Sequence, residues 1–424
     1  MSIACTLPFP ARLRVALALM LPAASAVAAD TGTLTGDWGG HRAAWEAAGV
    51  DIAVGYTSEE ARNLSGGARH ASAHAGQLAV QGRLDLGRLW GLERTRAEVA
   101  LTLRDGENLV DRAGLGVLVQ NQEVFGRGNI PRLTRLWVAH ASADGRWDIK
   151  AGRVGVGEDF AALDCTAMHL DFCGAQPAIF GGDYWYNWPI SQWGGRAEFR
   201  PRPQVYARLG AYQVNPRYTA TGGGGLRLAP SGTTGTLTPF ELGWEPVIDG
   251  RAGQYAVGGW YSSAPRADVV QPAITGTGAW TVMRGGTYGG WVQASQHLTS
   301  GNGSSERAGL HGQLAYAQGD RRSGEIDRML SVLLTWQGPF ARRPLDQIGL
   351  GLGNTWLNPR FARQRAQVPG VRLAASEQAA ELFYGWQAMP GLRLQPNLQY
   401  VRQPGAVADA KSVVVLGLKS QLTF

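Results

Sequence analysis

The stretch that decides the fold is the last one, Leu392 to Phe424, LRLQPNLQYVRQPGAVADAKSVVVLGLKSQLTF. Counting back from the end, Phe424, Leu422, Leu418, Leu416 and Val414 share one parity. Thr423, Gln421, Lys419 and Gly417 share the other, with Val415 the one apolar exception. Leu392, Leu394, Leu398 and Tyr400 alternate in the same way with Arg393, Gln395, Asn397 and Gln399. A period of two belongs to a β-strand with one greasy and one polar face. A strand that ends on Phe reads as the closing staff of a barrel. The expectation is a transmembrane antiparallel β-barrel, apolar outside and wet inside, with the barrel-assembly machinery reading the C-terminal strand through Phe424.

Composition agrees with that reading. The 59 glycines are about twice the ~7% of an average chain, and charged residues make up only 17%. At the start, Arg12 and Arg14 precede an apolar run from Val15 to Leu21, then Pro22 and small residues up to Ala29. This is the pattern of a cleaved signal peptide over residues 1–29, too short to span a membrane as a helix. Its removal takes two arginines and no acids, so the formal charge falls from +7 to +5. The cations are almost all Arg and form no run or basic helix, which argues against nucleic acid as a partner. Export to an oxidising compartment leaves Cys165 and Cys173 as an even pair. A disulfide is the better reading over free thiols or a metal site, because no C-x-x-C or further ligand stands nearby. Closing so short a loop stabilises it by roughly 2–3 kcal/mol in the chain-entropy model.

Upstream, Ala43 to Gly49 reads as a short helix at the periplasmic side (residues 30–49), followed by the barrel, residues 50–424. Alternating segments recur near 50–57, 76–86, 94–104, 132–143, 146–153, 193–200, 203–213, 237–245, 254–262, 285–297, 308–318, 328–338, 345–356, 377–388, 391–400 and 412–424. That gives about 16 strands, an even number. Short gaps (87–93, Asp144-Gly145, Pro201-Arg202, Pro390) alternate with mostly long ones (58–75, 105–131, 154–192, 214–236, 263–284, 357–376). Long loops at one end and tight turns at the other mark a membrane barrel. Gly222 to Gly225 reads as a flexible loop tip. Trp147, Trp336, Trp386 and Tyr400, near strand ends, read as interfacial girdle residues.

A charge facing lipid at the midplane costs roughly 2–4 kcal/mol, so the polar parity must face the lumen. That places Gln77, Gln81, Arg83 and Asp85 inside on one strand, with Arg94, Arg96, Glu98, Thr102 and Arg104 on the next. Arg393, Gln395, Asn397 and Gln399 face in near the end. Arg83, Arg96 and Glu98 converge either on the pore or into a salt-bridge network that stiffens the wall. The longest loop, 154–192, caps the barrel or folds into it as a constriction. Its Tyr184-Trp185-Tyr186-Asn187-Trp188 offers stacking faces for sugars, or else the loop's own packing core.

Seven stretches stand in order: Leu34-Thr35-Gly36-Asp37-Trp38-Gly39-Gly40-His41-Arg42, Arg132-Leu133-Thr134-Arg135-Leu136-Trp137, Ala151-Gly152-Arg153 with Glu158-Asp159-Phe160-Ala161, Cys165…Phe172-Cys173-Gly174, Gln192-Trp193-Gly194-Gly195-Arg196, Ala380-Glu381-Leu382-Phe383-Tyr384 and Leu394 to Tyr400. Taken together they resemble the carbohydrate-selective porins of the OprB type. The resemblance covers essentially the whole mature chain. It implies passive, sugar-preferring diffusion across a Gram-negative outer membrane, among lipid and lipopolysaccharide, without cofactor or metal. It also implies an arginine-lined constriction, for which Arg83, Arg96, Glu98, Arg104, Arg135, Trp185 and Trp188 are the candidates. The lumen wall would hold Gln81, Asp85, Arg393, Gln395, Asn397 and Gln399. His169-Leu170 stands where an Asn-containing stretch is expected, which leaves the preferred sugar open.

Three other readings remain. One is a general or anion-preferring porin. Another is a barrel-scaffolded enzyme, for which His297 or His311 would need a nucleophile in reach. The third is a secreted sugar-binding β-protein. Patterns for G-x-S-x-G, H-E-x-x-H or a P-loop do not occur, and His70 with His74 in a Gly/Ala/Ser-rich stretch makes a poor metal site.

Overall fold

A computed structural model describes residues 32–181, 184–271, 281–300, 308–367, 370 and 372–424. The expected signal peptide lies outside the described residues. Sixteen long strands make the barrel: β1 (Val50–Ser65), β2 (Ser72–Asp85), β3 (Thr95–Gly106), β4 (Pro131–Ala141), β5 (Trp147–Val154), β6 (Gln192–Arg202), β7 (Val205–Val214) and β8 (Gly235–Trp244). They continue as β9 (Arg251–Ser262), β10 (Thr287–His297), β11 (Gly309–Gln318), β12 (Ile326–Gln337), β13 (Gln347–Leu357), β14 (Ser376–Met389), β15 (Leu392–Arg402) and β16 (Val413–Thr423). Each pairs antiparallel with its neighbour, and β16 returns to β1 in a register running from Gly55 opposite Thr423 to Ser65 opposite Val414. Closure leaves no free edge, so every strand's backbone is satisfied within the wall. Among the described residues no helix is long and apolar enough to cross a membrane; the strands make the crossing.

The two faces divide as the alternation demands. Leu352, Leu416 and Leu398 are 53%, 51% and 46% exposed on the outside, while Lys419, Gln399 and Glu381 on the opposite parity are buried inside. Among the described residues no second sheet covers the outer leucines; they meet hydrocarbon. Trp147, Trp336 and Trp386 are exposed at the periplasmic ends of their strands and Tyr400 at the other, where interfacial aromatics belong.

The N-terminal segment clasps the seam. Arg42, on α1 (His41–Ala47), donates to the Phe424 carbonyl (2.8 Å) and the Ile52 carbonyl (3.2 Å), and its guanidinium lies 4.1 Å from the Trp38 ring centre. The Gly-Asp-Trp-Gly-Gly-His-Arg stretch therefore ties the first strand to the last at the periplasmic rim.

Two expectations need correction. The gap 58–75 is not a long loop, because β1 and β2 keep pairing up to Arg62 opposite Ser72 and form a protruding hairpin with a turn at 66–71. Nor is Gly222 to Gly225 simply a flexible tip. Gly225 is buried, its carbonyl accepts from the Leu133 amide (2.9 Å), and a Cβ there would sit 2.1 Å from the Pro131 carbonyl. Backbone packs on backbone at that point, and only glycine allows it.

Candidate pore constriction

The loop between β5 and β6 (residues 155–191) folds into the barrel, and wall carboxylates hold it there. Backbone N–H groups that leave water need acceptors. On β14, Glu381 accepts from the amides of Met168 (2.9 Å) and His169 (2.7 Å). On β8, Glu241 accepts from the Ala161 amide and the Trp291 indole, each at 3.0 Å. The loop between β3 and β4 (residues 107–130) is held likewise. Glu377 accepts from the amides of Leu118 (2.8 Å) and Gly405 (2.7 Å), and Glu59 from that of Val124 (3.2 Å).

Apolar contacts complete the docking. Gly351 on β13 leaves a space into which the Phe172 ring fits; a Cβ there would lie 2.8 Å from that ring. Phe172 packs with Ala167, Leu333 and Phe383. Val415, the exception to the polar parity, has its reason here too: it is buried inside against a cluster containing Met168, Leu109 and Leu115 from the two loops. Cys165 and Cys173 are joined as a disulfide within the inserted loop. Beside it, the Lys419 ammonium donates to Glu123 (2.9 Å) and the Ala167 carbonyl (3.1 Å) and lies 3.4 Å from Glu59. One lysine thus links β16, β1 and both loops.

Asp171 and His169 sit in the loop's buried core, the Asp171 carboxylate accepting from the Thr355 hydroxyl at 3.2 Å. Burial pushes the Asp171 carboxyl up to about 7 and the His169 imidazole down to about 3, so the histidine stays neutral.

A polar cluster at the meeting of the inserted loop and the wall centres on Arg135. Its Nη1 donates to Glu98 (2.6 Å) and Gln81 (3.0 Å), and its Nε to Glu158 (2.6 Å) of the inserted loop. The guanidinium lies 4.8 Å from the centre of the Trp188 ring. The Trp188 indole N–H donates to Gln77 (2.8 Å), which also accepts from Arg104 Nε (2.8 Å). Arg135, Glu158 and Trp188 remain half-buried at this meeting of loop and wall. Burial pushes the Glu158 carboxyl up, and the cations Arg135 and Lys150 pull against that shift.

Other expected residues lie elsewhere. Arg83 sits at the periplasmic end, 3.1 Å from Asp51 and 4.0 Å from Glu98, and Arg96 bonds Asp148 at 2.8 Å. Asp85 does not simply face the lumen: its carboxylate caps the turn helix α2 (Leu86–Trp90), accepting from the amides of Gly87 and Arg88. Trp185 shows no surface to a pore, being fully buried with Trp260 and Trp291 at ring distances of 5.4 and 5.5 Å. Gln395, Asn397 and Gln399 face inward but meet the loops rather than water. Gln395 donates to the Thr166 carbonyl and Gln399 to that of Asn121. Arg393, with Gln347 as acceptor, borders a vestibule below the inserted loop. His297 and His311 stack on each other as a cross-strand pair, ring centres 4.1 Å apart. His74 pairs with Glu60 and His70 with the Asn63 carbonyl, so the two do not converge on a common ligand.

The model of the carbohydrate-selective porin, OprB family, matches residues 69–424. The chain belongs to that family. This porin is 37% identical over 427 residues to Porin B of Pseudomonas aeruginosa, covering 95% of this chain and 93% of that one. It is 32% identical over 420 residues to the putative porin QuiX of Acinetobacter baylyi, covering 93% and 94%. The high-pH structure of Pseudomonas putida OprB superposes with a TM-score of 0.87 at 33% identity, covering 94% of this chain and all of that one. The porin is therefore an outer-membrane channel of the carbohydrate-selective class.

Sequence reasoning missed the loop-holding carboxylates Glu59, Glu241, Glu377 and Glu381. For Glu241, Glu377 and Glu381 the signal was present, each an acid on the inward parity of an expected strand, whereas Glu59 lay in the stretch read as a loop. A strand pattern shows which side a carboxylate faces; it does not show what the carboxylate meets there.

Proposed function

We propose that this porin passes neutral sugars of monosaccharide size by passive diffusion, through a constriction built on Trp188, Arg135, Gln77, Gln81, Glu98, Glu158 and Arg104. The single observation that carries this reading is Arg135, whose one charge faces two carboxylates while it stacks near a half-buried indole. A guanidinium so answered holds little net charge for an anion. It keeps its planar donors in place beside an apolar ring, which suits a solute with hydroxyls on its edges and C–H groups on its faces. Such contacts are individually weak, as a conducting site requires. Arg83 and Arg96, each paired with an aspartate, shape the periplasmic vestibule below.

The test is planar-bilayer conductance combined with liposome swelling over a panel of mono- and disaccharides. Small conductance that glucose-type sugars reduce supports the reading. Conductance indifferent to every sugar, but altered by anion substitution, would transfer the site to the anion-preferring alternative.

A further inference from the structure

The outer face carries a feature that diffusion through the lumen does not use. β9 and β10 place Gly259 directly opposite Gly290 on the lipid-facing parity, near the extracellular ends of both strands. The Phe240 ring lies over Gly259, where a Cβ would meet it at 2.9 Å, so the bare position is Gly290, with exposed large side chains around it. Tyr261 and Tyr288 form the next pair toward the outside, Val257 and Val292 the next toward the periplasm, and Phe240 flanks Gly259. Tyr316 stands beside Val292. The result is an open groove of about 420 Å³ in the lipid-facing wall, within the ~300–1,000 Å³ of ordinary ligand sites.

Cations crown this groove. Arg322, in the turn after β11, donates to the Gly286 carbonyl and to Asp320, and its guanidinium lies 5.5 Å from the Tyr288 ring centre. Arg328 pairs across the strands with Gln318, itself the partner of Gly290, and lies 4.9 Å from the Trp356 ring centre. Arg321 forks onto Asp327. Asp320 and Asp327 are turned in and the arginines out: the side chains of the two aspartates are 3% and 2% exposed, those of Arg321, Arg322 and Arg328 49%, 39% and 37%, and Glu325 of the same turn is exposed as well. What meets the outer leaflet here is an apolar notch whose upper edge presents exposed guanidinium groups, each paired to an aspartate beneath it.

We propose that this notch is a site for one phosphorylated, acylated glycolipid of the outer leaflet, the lipid A part of lipopolysaccharide. An acyl chain lies over Gly290, between Tyr288, Tyr316, Val257 and Val292. The head-group phosphate takes charge-assisted hydrogen bonds from Arg328, which stands 4.0 Å from Asp327 and whose forked donors match phosphate oxygens, with Arg322 held beside it on Asp320. The aromatic residues mark the depth at which head groups sit.

The experiment titrates lipid A into the full-length porin in mild detergent and reads the one-to-one adduct by native mass spectrometry. The R322Q/R328Q double variant should lower occupancy by about tenfold or more, the scale of one lost charge-assisted contact. Gly290→Leu, which fills the notch, should do the same. Should Gly290→Leu not fold, Val292→Trp fills the notch from its periplasmic side and must show the same loss. Dephosphorylated lipid A should bind the unaltered porin as weakly as lipid A binds the double variant. Sugar-dependent liposome swelling should stay unchanged in all variants, because the notch lies on the far side of the wall from the lumen. Equal lipid occupancy in the unaltered porin and its variants would overturn the proposal, as would an adduct with a second copy of the chain in place of lipid.

Discussion

Arg135 can hold Glu98, Gln81 and Glu158 and still lie over Trp188 because a guanidinium is flat, with donors in its plane and open faces above and below. Lysine keeps the charge and loses that geometry. Arg135→Lys should therefore leave ion selectivity little changed while weakening sugar block of single-channel current. Trp188→Ala should weaken the same block roughly two- to tenfold, the range of one aromatic contact; unchanged block in both would remove the site from the transport path. Arg135 and Trp188 were legible as candidates from the sequence, but Trp185 read identically to Trp188. A loop has no period to assign faces, and the structure sends one indole to a buried core and leaves the other half-exposed. Asp171 allows a test in pH. Its carboxyl sits at about 7 in the docked loop against an ordinary value near 4 when undocked, so the docked state binds the proton more tightly. Docking is thus favoured at low pH and weakens as pH rises through about 7, where the buried group must ionise. Amides of residues 170–173 should exchange faster at pH 8 than at pH 6, beyond the ordinary base-catalysed increase, and Asp171→Asn should abolish the excess.

At the scale of the element, the inserted loop has few regular hydrogen bonds of its own and depends on the wall. Glu381 gives it two amide contacts, so Glu381→Gln exchanges charge-assisted hydrogen bonds for neutral ones, a loss of about 1–3 kcal/mol. Conductance should rise and sugar block should fall as the loop spends time away from the wall. Opening Cys165–Cys173 by a paired change to serine should move both readings in the same direction. Unaltered current in both variants would show that other contacts alone hold the loop. The strands themselves were legible to within a few residues, because a lipid face and a lumen face impose opposite demands on neighbouring side chains. The first hairpin was not: the pairing beyond Ser58 carries Glu60 and Arg62 on the outer parity, where strands rise clear of lipid and the alternation loses its greasy half.

At the scale of the whole molecule, the assumption that the inner face is wet holds only in part. The inner polar column at Gln395, Asn397 and Gln399 is bonded to loop atoms, so the bore narrows because loops occupy it and not because the wall contracts. The outer face is the unmixed one, and it carries the fold's most direct test. Leu352 lies midway along β13 and is exposed outward. Arginine there should cost about 2–4 kcal/mol when the porin unfolds from liposomes in urea, because a guanidinium at that depth has no water to solvate it. Gln313, on the inward parity of β11 and bordering the vestibule, offers the contrast. Arginine at 313 stays hydrated and should change stability by under about 0.5 kcal/mol. The difference between the two variants measures which side of the wall faces hydrocarbon. Equal costs at the two positions would mean that the greasy parity is packed against protein, and neither the pore nor the notch on its outer wall would survive that result.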